Sequence, residues 1–179
     1  RSRGAGGGGR ADDARRRDGG DAAVERRDVG PRPGEERAAG DGDRTDGSIG
    51  TYDQLYPTNH GIYGIADQIG RRNTVNVRGG WRLRPTAWLT VKTEGHYFWL
   101  ASSHDALYAF NGAVSVPAVP GGAISRNIGP EVDIIGDIRL SKHYDLGAQY
   151  GHLFPGRFLK TYSPGSGRGF YAVFLDLHL

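Results

Sequence analysis

The sequence contains no cysteine and no methionine. Without Cys there is no disulfide framework and no zinc–thiolate site. No run of about 18 apolar residues occurs, which excludes a membrane-crossing helix. The chain starts at Arg1 with no charged stretch leading into an apolar one, so no signal peptide is visible and the natural start is expected to be absent. Aromatic residues are missing from positions 1–48, and Val24 and Val29 are the only large aliphatic residues there.

What fills positions 1–48 is Arg, Asp, Glu, Gly and Ala. Such a stretch buries too little apolar surface to offset its ordering entropy, so it is expected to be disordered. Its eleven Arg are matched by eight Asp and three Glu. A nucleic-acid arm would be one-sided in charge and would carry stacking aromatics, so no nucleic-acid partner is expected. The composition is that of a linker or of translated GC-rich DNA upstream of the native coding sequence, and the second reading is favoured. The chain therefore divides into residues 1–48 and residues 49–179.

Beyond position 48 the pattern changes to period two, the signature of strands with two unlike faces. Thr74–Leu83 sets Val75, Val77, Gly79, Trp81 and Leu83 against Thr74, Asn76, Arg78, Gly80 and Arg82. Ala87–Leu100 sets Leu89, Val91, Thr93, Gly95, Tyr97 and Trp99 against Thr90, Lys92, Glu94 and His96. Gly129–Leu140 sets Val132, Ile134, Gly136, Ile138 and Leu140 against Glu131, Asp133, Ile135, Asp137 and Arg139. Tyr144–Phe154 and Gly169–Leu179 complete a set of five. Arg84–Thr86 and Ser141–His143 read as short turns, whereas Ser102–Asn127 and Pro155–Arg168 are rich in Gly, Pro and Ser and read as long loops.

Short turns at one end and long loops at the other are the habit of membrane β-barrels. From Leu89 to Trp99 the rise is about 33 Å, or about 24 Å along the membrane normal at 45° tilt, close to the height of an outer-membrane apolar band. Trp88 and Trp99 have opposite parity, so Trp88 belongs to the turn or a bulge intervenes. Apolar residues recur at every second position back from Leu179. The competing architecture is a soluble antiparallel barrel that binds a ligand, with the apolar face inside and the charged face outside. Alternation by itself does not separate the two.

A more specific signal precedes the strands. The run Tyr52-Asp53-Gln54-Leu55-Tyr56-Pro57-Thr58-Asn59-His60, followed by Tyr63-Gly64-Ile65-Ala66-Asp67-Gln68-Ile69-Gly70, resembles part of the alginate export family of Gram-negative outer-membrane proteins. Trp99-Leu100-Ala101, Asp105-Ala106-Leu107-Tyr108 and Gly151–Lys160 extend the likeness in the family's order. The resemblance implies an outer-membrane location and a large single-chain barrel whose polar pore passes an anionic uronate polysaccharide. It also singles out Tyr56, Pro57, Thr58, Asn59, His60 and Asp67 as a family-motif loop.

The fold expected is thus all-β: an antiparallel meander forming the C-terminal part of a transmembrane β-barrel, behind a disordered N-terminal segment. Five strands are too few to close in lipid, where bacterial barrels begin at eight, so missing strands or self-association are expected to complete the barrel. If they do not, a truncated chain would have no function of its own. The expected partners are the outer-membrane bilayer and an anionic polysaccharide, or small anions. In such a barrel Arg78, Arg82, Lys92 and Arg139 face the lumen and would guide a polyanion, beside the acids Glu94, Asp133, Asp137 and Asp176. A lumenal salt-bridge network without a substrate role is the plainer account of the same charges. His96 and His104 bracket Asp105, but no third ligand or nucleophile stands at a recognised spacing. Neither catalysis, metal nor cofactor is expected.

Overall fold

The computed structural model describes residues 35–37, 39–43, 45–53, 60–165 and 167–178. Residues 1–34, most of the stretch expected to be disordered, and Tyr56, Pro57, Thr58 and Asn59 of the motif loop lie outside them. The elements in order are β1 (Glu35–Arg37), β2 (Thr74–Leu83), β3 (Leu89–Leu100), β4 (Leu107–Tyr108), β5 (Val114–Val116), β6 (Asn127–Arg139), β7 (Tyr144–Leu153), α1 (Arg157–Tyr162) and β8 (Arg168–Leu177).

Six strands form one antiparallel sheet in the order β1-β2-β3-β6-β7-β8, and β4 pairs with β5 apart from it. The sheet is open, with β1 and β8 at its edges. Its five long strands are those that the alternation marks, within about two residues at each end. Short β1 is an addition: Glu35, Glu36 and Arg37 pair with Val77, Asn76 and Val75. Trp88 falls in the turn before β3, where its carbonyl accepts from the Arg139 N–H at 2.8 Å. A register shift also occurs, between Phe98 and Trp99, opposite Ile128. Pro130 is accommodated beside that irregularity, where a missing ladder donor does least harm.

The register aligns like with like. Val77 lies beside Tyr97, Trp81 beside Thr93, and Leu83 beside Val91. The same rows continue through Ile134 to Tyr150 and Tyr171, and through Ala148 to Val173. One face of the sheet is therefore apolar throughout, and it is bare: Tyr171 is 82% exposed, Trp81 78% and Val173 72%. The opposite face is polar, and much of it is covered. In β6 this gives a reversal of the usual pattern, since Glu131 and Asp133 are buried while Val132 and Ile134 are exposed.

The cover comes from the long connections, which fold back over the polar face. A core of Phe98, Leu100, Ile128 and Leu153 from the strands packs with Tyr63, Ile69, Leu107, Val116, Phe158 and Leu159 from the connections. This is where the sequence reading of plain loops falls short. Residues 102–127 hold the β4–β5 hairpin, closed through Gly112 at φ 82°. Residues 155–168 hold α1, a helix too short to persist alone and fixed by burial of Phe158 and Leu159.

Asn73 locks this arrangement at the entry to β2. It is wholly buried and sits at φ 54°, a left-handed conformation that Asn tolerates better than most residues. Its Nδ2 donates to the carbonyls of Ser102 (3.1 Å) and Ala106 (2.9 Å), and its Oδ1 accepts from the Ser102 N–H at 2.7 Å. Asn73→Ala leaves those backbone groups unpaired. A loss of about 3 kcal/mol in unfolding free energy is expected, read as a lower urea midpoint in detergent micelles. An unchanged midpoint would mean that Asn73 does not hold the connection.

Candidate functional site

The site is the polar face of the sheet. Because side chains alternate along a strand, register alone decides which charged residues meet. One row runs Arg78, His96, Glu131 and Leu153, and the next runs Gly80, Glu94, Asp133, Gly151 and Phe170. A third runs Arg82, Lys92, Ile135 and Gln149. All four expected cations and all four expected acids thus share one face, but they do not form one cluster.

At the short-turn end the face is open. Asp137 and Arg139 line a cleft there with Arg84, Thr90 and Asp145, and the Arg139 Nε lies 3.7 Å from Asp145. Arg82 stands directly opposite Lys92 across β2 and β3. Two like charges so placed repel unless a counter-charge lies between them. Lys92 finds one in Glu94, at 3.0 Å, whereas Arg82 projects into solvent. Arg78, nearer the other end, donates to the Ile62 carbonyl at 3.4 Å.

Toward the long-loop end the face is sealed by residues 60–70. The Ala66 N–H donates to Glu131 at 2.9 Å, and the Ile65 N–H donates to Asp133 at 3.2 Å. Two glycines permit the approach. Gly64 has φ 82°, and a Cβ there would run into the Glu131 carboxylate; a Cβ on Gly151 would strike Ile65 and Asp133. His60 and Asp67, the described members of the motif loop, pair at 2.8 Å. The His60 ring also meets Phe170 edge-on at 5.9 Å and Gln149 at 3.4 Å, which seats the loop on β7 and β8.

Two buried polar residues that the sequence reading did not single out belong to this site, Glu131 and Asn76, and His96, which it weighed only beside Asp105, joins them. Glu131 and His96 have the parity of the lumenal charges, so parity was the available signal. Their meeting depends on the β3–β6 register, which a single sequence does not display.

Asp105 organises the outer connection. Its carboxylate accepts from the Asp41 N–H (3.0 Å), the Thr51 hydroxyl, the Ala106 N–H (2.7 Å) and the Tyr108 hydroxyl (3.0 Å). Burial pushes this carboxyl up, but the donors from Thr51, Asp41, Ala106 and Tyr108 together outweigh it and hold it below the usual 3.8. This accounts for the Asp105-Ala106-Leu107-Tyr108 string as a structural clamp rather than an acid–base pair with the neighbouring His.

Comparison with known proteins finds that the alginate export family profile matches residues 34–170, from the residue before β1 to Phe170 in β8. No curated protein matches the chain.

The Asp105 clamp has a defined pH signature. A carboxyl depressed on folding contributes stability that is present above its unfolded value near 3.8 and is lost as pH falls through its lower folded value. Relative to Asp105→Asn, the wild-type chain should be more stable by about 2 kcal/mol at pH 7. That difference should persist down to about pH 4 and shrink below it. Urea midpoints of both proteins across this range are the measurement; a gap that widens on acidification contradicts the assignment.

Proposed function

The chain belongs to the alginate export family, and from that premise we propose that its sheet forms part of the wall of an outer-membrane β-barrel whose lumen passes an anionic polysaccharide. The observation that carries this reading is the sidedness of the sheet. A soluble barrel buries its apolar face; here that face is the bare one, and the buried face holds Asn76, His96, Glu131 and Asp133. In water a continuous exposed surface of Trp81, Ile134, Tyr150, Tyr171, Val173 and Leu175 would be an aggregation liability. Against lipid tails it is the surface required.

Closure supports the same account. The edge strands β1 and β8 each leave one row of backbone groups unpaired within this sheet, which lipid does not tolerate. Strands besides these six, in a longer polypeptide or from further copies, are needed to complete the ring. The lumenal face then offers a polyanion two kinds of contact. Arg82 and Lys92, set opposite each other, and Arg139 in the short-turn cleft are placed to attract it. The acids Glu94, Asp133 and Asp137 lie on the same face, but Asp133 is buried and does not meet the permeant. No step here makes or breaks a covalent bond; the family is one of transport, and the residues named act by electrostatic guidance.

Two outcomes are expected. The β-structure of the chain should form in detergent micelles and not in plain buffer, as followed by circular dichroism; a cooperative β-fold in plain buffer would favour the soluble ligand-binding module. In planar bilayers, Arg78→Glu combined with Arg139→Glu should weaken or reverse anion preference. Selectivity identical to wild type would remove the lumenal cations from the mechanism.

A further inference from the structure

We propose that Glu94, His96 and Asp133 form a binding site for a divalent transition-metal ion of the Zn2+ class, set into the lumenal wall beneath the 60–70 segment. Their candidate ligand atoms all lie within 4.8 Å of one another. His96 and Asp133 come from adjacent strands, and both side chains are 0% exposed. Glu94 stands directly opposite Asp133 in the register.

The hydrogen-bond inventory leaves this cluster incomplete on the side where an ion would sit. Among the described residues, His96 Nε2 and Glu94 Oε2 are buried without a hydrogen-bond partner, while the Asp133 carboxylate shares a hydrogen bond with the Glu131 carboxyl. Orphaned buried atoms are rare in folded proteins, and two of them within one cluster of ligating side chains call for a missing partner. A divalent cation supplies that partner, since an imidazole lone pair and a carboxylate oxygen both ligate one.

Geometry separates this reading from an ordinary ion pair. The His96 Nε2 to Asp133 Oδ2 separation is 3.6 Å, too long for a good N–H···O bond. Two donors bound tetrahedrally to one ion at about 2.1 Å stand about 3.4 Å apart. The other ring nitrogen is already engaged: Nδ1 lies 3.3 Å from the Asn76 Oδ1, and the ring stacks on Phe98 at 4° between planes. The Asn76 Nδ2 stands at the same 3.3 Å; with the amide oxygen turned to Nδ1, the ring donates there and presents its Nε2 lone pair, the support that metal-binding imidazoles ordinarily have. One imidazole with carboxylates selects a borderline ion over Ca2+ or Mg2+, which favour all-oxygen sites.

The location gives the site a consequence. Asp133 is also the acceptor for the Ile65 N–H, so an ion held by Asp133 fixes the wall end of the contact that seals the long-loop side. The metal would act as a latch on the 60–70 segment, independent of what passes through the lumen.

The test uses the full chain folded in detergent micelles, stripped with a chelator and titrated with Zn2+ and separately with Ca2+ by calorimetry. One saturable Zn2+ site is expected, at least tenfold tighter than for Ca2+ and weakened at least tenfold by either His96→Gln or Asp133→Asn. Hydrogen exchange at the Ile65 and Ala66 amides should slow when Zn2+ binds. Absence of a saturable site overturns the proposal, as does Zn2+ affinity that both variants retain, which would place the ion on surface His such as His60, His104, His143 or His178. Should a variant lose its β-structure, X-ray absorption of the Zn2+-loaded wild type decides: a shell with one imidazole and carboxylate oxygens supports the site, and a shell of several imidazoles or of water alone overturns it.

Discussion

Backbone N–H groups of Ile65 and Ala66 donate to the carboxylates of Asp133 and Glu131, and the rest of the sheet is arranged around that contact. A buried carboxylate is expensive unless donors meet it. Donors from a folded-back connection can reach it only if the wall and the connection come very close, and Gly64 and Gly151 allow that. Once the 60–70 segment is seated, Tyr63 and Ile69 are placed against Phe98 and Leu100, and the apolar cluster closes over the long-loop end. Polar contacts thus specify where the connection sits, and apolar burial holds it there.

That order explains why the apolar face of the sheet is free. In a soluble sandwich the aliphatic rows of β2, β3 and β6 would be the core, and the charged rows would meet water. Here the connections have taken the charged side, so Trp81, Ile134, Tyr171 and Leu175 stay exposed among the described residues. Two independent features bear on the surroundings of that face: the absence of a covering element among the described residues, and the uniformity of the rows that cross-strand register builds. A hydrocarbon environment satisfies both.

Period-two alternation made the five long strands legible, because each has one apolar and one polar face and a slip of one residue would exchange them. The turns at Arg84–Thr86 and Ser141–His143 were legible for the same reason, as breaks in that period. Strand β1 was not, since Glu35-Glu36-Arg37 carries no alternation of apolar and polar residues, and its pairing with β2 is seen only in the register. Helix α1 was hidden among Pro and Gly, and its six residues owe their shape to the burial of Phe158 and Leu159 rather than to propensity. The parity of Arg78, Arg82, Lys92 and Arg139 put them on one face, but their separate neighbourhoods were set by strand stagger and by which connection lay above them. Tyr56, Pro57, Thr58 and Asn59, the most specific string in the chain, lie outside the described residues, so their likeness to the family rests on sequence.

The polar face is graded along its length, and the gradient bears on how a polyanion would use it. Near the short turns Arg82 and Arg139 reach solvent, and opposite charges are partly matched. Toward the long loops Glu131 and Asp133 are buried beneath the 60–70 segment, out of a permeant's reach. A charged ring acts on a passing ion through its exposed members, so the sealed acids weigh less on a polyanion than their number suggests. Under the proposed function, covering the acids and baring the cations is what allows a wall rich in carboxylates to favour an anion. The contact of the 60–70 segment with Asp133 and Glu131 is thus what keeps these two acids off the exposed face.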